Sequence, residues 1–321
     1  MSIRYTHLCA FVLLLLWFQT SIAKESYQGA LSFGYGININ DREINDYSAQ
    51  NFAGTYYLAP VNKNNRPWLR ADFLDRVGNL TFKTQKNSFT GENLYRNGPY
   101  LDSDNSQYDI GFTYRAPTTP WLFGLNYVKL SNKFYSNNYE YYSSYGKNIE
   151  SSANKGIFTL GYYAQNSFLF KGSLIYMAQS NQTERNASFE TDEENLTYKA
   201  LDLGFSWVKS YGHSWLSLDF SLGYGIIDYS DYARYYADGE SGNLLVDVAY
   251  YFNEKTSLGN KLALTYDTAI IDRDRREWSI YFNTFITRYL SIGASIGYVD
   301  NYSEYDSYDV IEGALYLELL I

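Results

Sequence analysis

The sequence predicts an all-β fold, a transmembrane antiparallel β-barrel of about fourteen strands, from three observations. The segment 311–321 alternates apolar and polar residues and places Leu315, Leu317, Leu319 and Ile321 on one face. Aromatic residues make up 19% of the chain, although the mean hydropathy is only -0.37. After the first residues, no stretch is apolar over the roughly 20 residues that a spanning helix needs. A barrel explains all three, because its lumen and loops are polar and only a narrow outer band faces lipid.

The segment 1–23 is typical of a cleaved signal peptide. Arg4 precedes an apolar run, and the segment closes on Ser21-Ile22-Ala23, a small-x-small cleavage pattern. The apolar run is too short for a spanning helix, which argues against a membrane anchor. We therefore expect a single outer-membrane barrel domain at 24–321.

The chemistry-bearing residues are few. The only cysteine, Cys9, lies in the predicted signal peptide, which excludes disulfides and thiolate sites from the mature domain. His213 lies in a turn-like cluster and has no evident partner to make it a general base. No G-x-S-x-G segment stands out as a nucleophile motif, and no H-E-x-x-H pair occurs. The sequence thus predicts no enzyme, no metal and no cofactor, with a hydrolase built only from acidic residues as the alternative.

The chain is acidic, with 26 basic and 35 acidic residues. Removal of Arg4 with the signal peptide changes the balance to 25 minus 35, or -10. Nucleic acid is excluded as a partner because phosphates require a basic surface. Outer-membrane lipid and lipopolysaccharide, whose surface is bridged by cations, are the expected surroundings.

Alternating segments predict the strands in order. They lie at 27–39, 50–60, 67–77, 106–116, 121–131, 156–165, 167–179, 197–208, 214–227, 243–253, 257–270, 276–287, 290–299 and 309–321. Twelve or sixteen strands are the alternatives to fourteen. A soluble β-sandwich also alternates, but a closed sheet leaves no exposed edge.

Short and long connections alternate along the chain. The short ones are at 62–66, 117–119, 165–167, 210–214, 253–256 and 287–289, and their Asn, Pro and Gly content fits tight turns. The long ones are at 78–105, 132–155, 180–196, 228–242 and 300–308, with shorter ones at 40–49 and 271–275. This order predicts short periplasmic turns and long extracellular loops.

Charges fix which face of a strand meets lipid, since a one-residue slip would expose them at a cost of roughly 2–4 kcal/mol. The outward rows are Trp278, Ile280, Phe282 and Ile286; Leu290, Ile292, Ala294, Ile296 and Tyr298; and Leu244, Val246, Val248, Tyr250 and Phe252. The inward rows are small or polar: Ser291, Gly293, Ser295 and Gly297; and Ser217, Asp219, Ser221, Gly223 and Gly225.

Charged residues on the predicted inner faces are the pore-lining candidates. They are Arg70, Asp72, Arg76, Asp109, Arg115, Lys171, Asp202, Asp219, Asp247, Lys261, Asp267, Glu277, Glu312 and Glu318. Acids outnumber bases in this set, which predicts a mildly cation-preferring lumen. The alternative is that opposite charges, such as those of Arg70 and Asp72, pair and brace the wall.

Three predicted outer loops are rich in tyrosine, which suits a ring ligand and a membrane interface equally. The loop-binding candidates are Tyr139, Tyr141, Tyr142, Tyr232, Tyr235 and Tyr236. The acids in these loops do not have the spacing of a calcium-binding EF-hand loop.

Segments 54–62, Gly-Thr-Tyr-Tyr-Leu-Ala-Pro-Val-Asn, and 66–74, Arg-Pro-Trp-Leu-Arg-Ala-Asp-Phe-Leu, resemble the second and third strands of the general bacterial porin family of Gram-negative bacteria. Trp68 and Arg70 depart from the small apolar and acidic start of that third strand, and Ile321 replaces the usual terminal Phe. The resemblance implies a porin-like channel and insertion by the barrel-assembly machinery through the C-terminal strand.

Together these observations predict an outer-membrane channel for passive diffusion of small hydrophilic solutes. The alternative is a surface-binding or adhesin-like barrel with a plugged lumen and ligand-binding tyrosine loops.

Overall fold

The structure, a computed structural model, confirms the predicted fold class. It describes residues 26–38, 45–92, 100–115, 118–140, 143–185, 191–229, 239–268, 273–302 and 307–321. The predicted signal peptide lies outside these residues. The described strands form one closed antiparallel barrel in which each strand pairs with its neighbours in sequence and β1 pairs with β14.

The strands are β1 Ser26–Asn38, β2 Asn45–Asn62, β3 Asn79–Glu92, β4 Tyr100–Arg115, β5 Trp121–Glu140, β6 Ser143–Gln165, β7 Phe168–Arg185, β8 Thr191–Tyr211, β9 Ser214–Tyr229, β10 Gly239–Tyr251, β11 Thr256–Asp267, β12 Arg273–Phe285, β13 Leu290–Tyr302 and β14 Ser307–Leu320. Between β2 and β3 lie a 3-10 turn, Trp68–Arg70, and a short helix α1, Ala71–Asp75.

The barrel closes where β1 meets β14. Their register runs from Ala30 opposite Leu320 to Asn38 opposite Glu312. Beyond it, the backbone N–H of Gly29 donates to the carbonyl of Ile321, and the N–H of Ile321 donates to the carbonyl of Gly29. Both ends of the described chain therefore lie at the short-turn end.

The predicted facing is confirmed where charges fixed it. Trp278, Ile280, Phe282 and Ile286 are exposed on the outer surface, whereas the inward Ser291 and Gly293 are buried. The closed sheet has no edge, so its backbone groups are paired within the barrel, and the apolar outer belt faces lipid. The barrel is therefore an outer-membrane barrel. Within the described residues, no helix is both long and apolar enough to cross a membrane.

The prediction of a strand at 67–77 is wrong. Pro67 has φ -64°, the 3-10 turn and α1 follow it, and Arg76 ends the helix in the left-handed conformation, with φ 54°. Residues 66–76 contain no β-branched side chain, so little in this segment favours extended backbone over helix. The short connection predicted at 62–66 is accordingly the start of a longer segment.

The long connections are also shorter than predicted. The segment 78–105 contains all of β3, and the predicted loop 132–155 is a hairpin in which β5 and β6 remain paired up to Glu140 and Ser143. These strands continue beyond the apolar belt, where both faces are polar and the alternation of apolar and polar residues is lost. The strand number is fourteen because β3 replaces the strand that was wrongly placed at 67–77.

Candidate functional site

The connection between β2 and β3, residues 63–78, folds into the barrel and crosses the lumen; we call it the insert. The Trp68 ring packs on Phe285 of β12, with centroids 5.0 Å apart. The Phe73 ring contacts Tyr163 of β6 at 5.8 Å. Since β6 and β12 are six places apart in a ring of fourteen strands, these contacts lie on nearly opposite walls. The insert therefore spans the short-turn end of the lumen.

Much of the wall under the insert is apolar. Two buried clusters line it, one around Trp68 and Ala71 and one around Phe73. Their members on the strands are Tyr27, Ala30, Tyr57, Val61, Phe285 and Leu320 in the first, and Leu122, Tyr163, Leu169, Val208, Trp215, Ala249 and Tyr251 in the second. Burial of these side chains against the insert removes apolar surface from water and stabilises the inward position.

Two ion pairs join the insert to the wall, and a third lies within the insert. Arg70 binds Asp219 of β9. Arg115 of β4 lies 3.4 Å from the carboxylate of Asp72 and donates to the Asp72 backbone carbonyl at 3.1 Å. Within the insert, Arg66 binds Asp75. The contacts of Arg70 and Asp72 are thus made to β9 and β4, five places apart in the ring of fourteen strands, which fixes the insert across the lumen.

The surroundings of Arg70 favour its positively charged form. Its side chain is 23% exposed and that of Asp219 is 21% exposed. Burial opposes the positive charge, but Tyr251 and Asp219 outweigh this effect, so the pKa of Arg70 is raised above its ordinary value.

The wall around Arg70 carries two acids side by side. Asp219 lies directly opposite Asp247 in the β9–β10 register, and Asp247 lies opposite Lys261 on β11. The Tyr281 hydroxyl donates to Asp247 at 2.6 Å. Two adjacent carboxylates repel each other, so the guanidinium of Arg70 stabilises this part of the wall.

Glycine makes room for Tyr281. A Cβ on Gly259 would overlap the Tyr281 ring, whereas a Cβ on Gly156 would meet nothing within 4 Å. The ring of Tyr281 can therefore lie against β11 and bring its hydroxyl to Asp247.

We expect Gly259→Ala to lower the free energy of unfolding by about 1–3 kcal/mol, because the new methyl group displaces Tyr281. Urea titration of the barrel in detergent or liposomes measures the effect. Gly156→Ala is the matched control and should leave the unfolding midpoint unchanged or slightly raised, since alanine loses less backbone entropy on folding. Equal midpoints for the two variants would contradict the packing of Tyr281 on Gly259.

Lys63 anchors the start of the insert at the short-turn end. Its side chain is buried, its ammonium donates to the carbonyl of Arg288 at 2.7 Å, and it lies 4.7 Å from the Trp68 ring, 5.0 Å from Tyr289 and 5.6 Å from Tyr27. Burial and the nearby charge of Arg288 lower the pKa of Lys63 to about 8. The cation–π contacts and the carbonyl compensate in part for the lost hydration of the ammonium.

The structure places the predicted pore-lining residues in two groups. Arg70, Asp72 and Arg76 are on the insert and not on a strand, which corrects their placement, although Arg70 and Asp72 contact the lumen wall and the Arg76 guanidinium lies 4.4 Å from the Tyr163 ring. The others occupy inward positions on strands, namely Asp109, Arg115, Lys171, Asp202, Asp219, Asp247, Lys261, Asp267, Glu277, Glu312 and Glu318.

Among the side chains that the structure describes, three inward bases were not predicted from the sequence: Lys83 on β3, Lys155 on β6 and Arg275 on β12. Lys83 was missed because β3 was assigned to a loop, and the other two lie beyond the predicted strand ends. They reduce the excess of acids that the sequence suggested.

A sequence signal for the insert existed. Large apolar or aromatic residues occupy inward positions at the short-turn ends of many strands, among them Leu122, Leu169 and Trp215. Exposure of this apolar surface to water is unfavourable, so inward apolar residues at these positions indicate that another segment covers them.

Most of the loop-binding candidates cannot be placed. Tyr141, Tyr142, Tyr232, Tyr235 and Tyr236 lie outside the described residues. Tyr139 lies near the end of β5, where its backbone pairs with Ser144.

Comparison with known protein families finds no match, and comparison with curated proteins finds none. Solved structures with a similar fold include the CymD monoaromatic hydrocarbon channel, at 9% identity and a TM-score of 0.52, covering 92% of this chain and 89% of that one. The Pseudomonas putida toluene transporter TodX matches at 8% identity and a TM-score of 0.50, covering 94% and 91%. A deltaS2S3 mutant of TodX matches at 9% and 0.53, covering 93% and 91%. At these identities the likeness establishes the fold.

Proposed function

We propose that the protein is an outer-membrane channel for passive diffusion of small hydrophilic solutes, and that the insert closes it in the described conformation. The observation that carries the proposal is the division of the lumen. Apolar inward side chains at the short-turn end are covered by the insert, whereas polar and small residues, such as Asn126, Ser221, Gly223 and Ser279, face the lumen farther along.

The way the insert is held also favours a gate. Arg70 and Asp72 bind the wall through ion pairs, which water or a polar solute can replace at a modest cost. Both ends of the insert continue into strands, so an opened insert stays attached. A lumen sealed only for stability does not require a polar wall beyond the seal.

Charges in the lumen are segregated. Among the described inward residues, strands β9 to β14 carry the acids Asp219, Asp247, Asp267, Glu277, Glu312 and Glu318 and the bases Lys261 and Arg275. The inward charges of β3 to β7 are Lys83, Arg115, Lys155 and Lys171, with Asp109 as the acid. This arrangement produces a field across the lumen that favours hydrated, dipolar solutes.

With Asp202 added, the inward strand residues whose side chains the structure describes include eight acids and six bases. When the insert leaves, Arg70 no longer neutralises Asp219, and the open lumen has a small negative excess. We propose a mild preference for cations on this basis.

The membrane partners proposed are outer-membrane lipid and lipopolysaccharide around the apolar belt, and the barrel-assembly machinery acting on β14. Nucleic acid and enzymatic turnover are not part of the proposal.

Single-channel recording tests the function. The mature chain, folded in detergent, is placed in a planar bilayer with a salt gradient, and current steps and reversal potential are measured. We expect rare, stable steps and a reversal potential of the sign that indicates cations. The same preparation after heat denaturation is the control and should give no steps.

A barrel that folds correctly but gives no current even after the insert is shortened would overturn the channel proposal. The alternative is then a surface-binding or adhesin-like barrel, which the lumen-crossing insert also fits as a plug. Loss of cell or ligand binding when 132–155 or 228–242 is shortened would support that alternative.

A further inference from the structure

We propose that the wall beneath Arg70 is a binding site for solutes with a guanidinium group, and that such a solute opens the channel by displacing Arg70. The site consists of Asp219 and Ser217 on β9 and Asp247 on β10. The inference rests on the proposed channel function and names the solute class that the gate recognises.

The first observation is the group that occupies the site. The guanidinium of Arg70 binds Asp219. A planar guanidinium fits a carboxylate through paired N–H donors, which an ammonium ion cannot reproduce. Because the occupant belongs to the insert, a free solute with the same group competes with it directly.

The second observation is independent of the acids. Ser217 is 1% exposed, and within the described structure its hydroxyl has no hydrogen-bond partner. It lies two residues from Asp219 on the same face of β9. Buried polar groups without partners are uncommon and mark a place where a polar ligand gains hydrogen bonds.

The charge of the site selects a monovalent cation. Asp219 and Asp247 contribute two negative charges, and Lys261, opposite Asp247, contributes one positive charge. Without Arg70 the net charge is therefore -1. A single guanidinium restores neutrality, whereas a divalent cation would leave an excess positive charge.

Arg70 also lies at the junction between the two short helical segments of the insert. Arg70 is the last residue of the 3-10 turn and directly precedes α1. Release of its side chain removes the ion pair that joins the insert to β9. On the other side Asp72 lies 3.4 Å from Arg115, and the backbone N–H of Trp68 donates to the carbonyl of Glu254 at 2.9 Å.

Ethylguanidinium is the probe, and tetramethylammonium, which has the same charge but no N–H donor, is its control. The protein is studied folded and full length after signal removal, in a planar bilayer for the open fraction and in detergent for tryptophan fluorescence. The Trp68 ring packs on Phe285, so movement of the insert changes its surroundings and its emission.

We expect ethylguanidinium to raise the open fraction of the wild type about ten-fold in a saturable manner, since it replaces an ion pair of roughly 1.4 kcal/mol. Tetramethylammonium should have no such effect. Asp219→Asn should abolish the saturable response in both measurements, and Asp109→Asn, which neutralises an inward acid on β4, should retain it. Heat-modifiable migration in a gel confirms that each variant is folded.

Other results distinguish failure of the guanidinium site from failure of the channel function. Equal responses to both cations, or a full response of Asp219→Asn, would overturn the guanidinium site while the channel function stands. If neither the wild type nor a variant with a shortened insert conducts, the channel function is wrong. The binding site is then tested by tryptophan fluorescence: saturable quenching by ethylguanidinium and not by tetramethylammonium supports it, and its absence overturns it. Asp247→Asn provides a second test of the site if Asp219→Asn does not fold.

Discussion

Shortening the insert should convert a channel that opens rarely into one that stays open. The variant replaces residues 64–77 by a Gly/Ser linker of about eight residues, which is long enough to join the ends of β2 and β3 because extended chain spans about 3.3 Å per residue. It removes the Trp68 and Phe73 contacts and the ion pairs of Arg70 and Asp72 together. Each charge-assisted contact is worth roughly 1.5–3 kcal/mol, so we expect the open fraction to rise by more than about a hundred-fold.

The barrel itself should survive this change. Its backbone ladder closes through β1 and β14 without the insert. The exposed apolar wall should lower the unfolding midpoint, which urea titration measures alongside the conductance. Gly156→Ala serves as the control and should open as rarely as the wild type, because the added methyl group meets no neighbour. Unchanged conductance in a folded, shortened variant would place the closure elsewhere in the lumen.

The sequence predicts the barrel well because lipid imposes a strict rule on every strand. Outward residues such as Ile280 and Phe282 must be apolar along the belt, and the alternation is visible without knowledge of the partners of each strand. The strand ends were poorly predicted for the same reason. Beyond the belt, the pair Asn132 and Ser151 lies on one face of the hairpin and the pair Lys133 and Glu150 on the other, so both faces are polar and no rule of alternation applies.

The site was predicted only in part because it depends on contacts between distant segments. The inward position of Asp219 follows from the alternation of β9, but its partner Arg70 lies 149 residues away, on a segment assigned to a strand. Alternation of Trp68, Arg70 and Asp72 against Leu69, Ala71 and Phe73 imitates a strand over this short stretch. The absence of β-branched residues and the presence of Pro67 were the better signals, because they describe the backbone and not the surroundings.

Reversal of the charge of Arg70 should open the channel more than any other single substitution in the insert. Arg70→Asp removes the ion pair with Asp219 and places a third carboxylate beside Asp219 and Asp247. Loss of a half-buried pair costs about 1–2 kcal/mol, and like charges at this distance add to it. We expect the open fraction to rise by about one to two orders of magnitude.

The pair is tested by exchange of its charges. Asp219→Arg alone should also open the channel, since it sets two guanidinium groups against each other, whereas the double variant Arg70→Asp with Asp219→Arg should return toward the wild-type open fraction. A coupling free energy of about 1 kcal/mol or more in the four-variant cycle identifies a direct interaction. Lys155→Asp, a charge reversal on β6 eight residues from Tyr163, controls for a general change in lumen charge. If the double variant opens as much as the sum of its single changes, the Arg70 contact does not hold the gate, and closure depends on the apolar packing of Trp68 and Phe73.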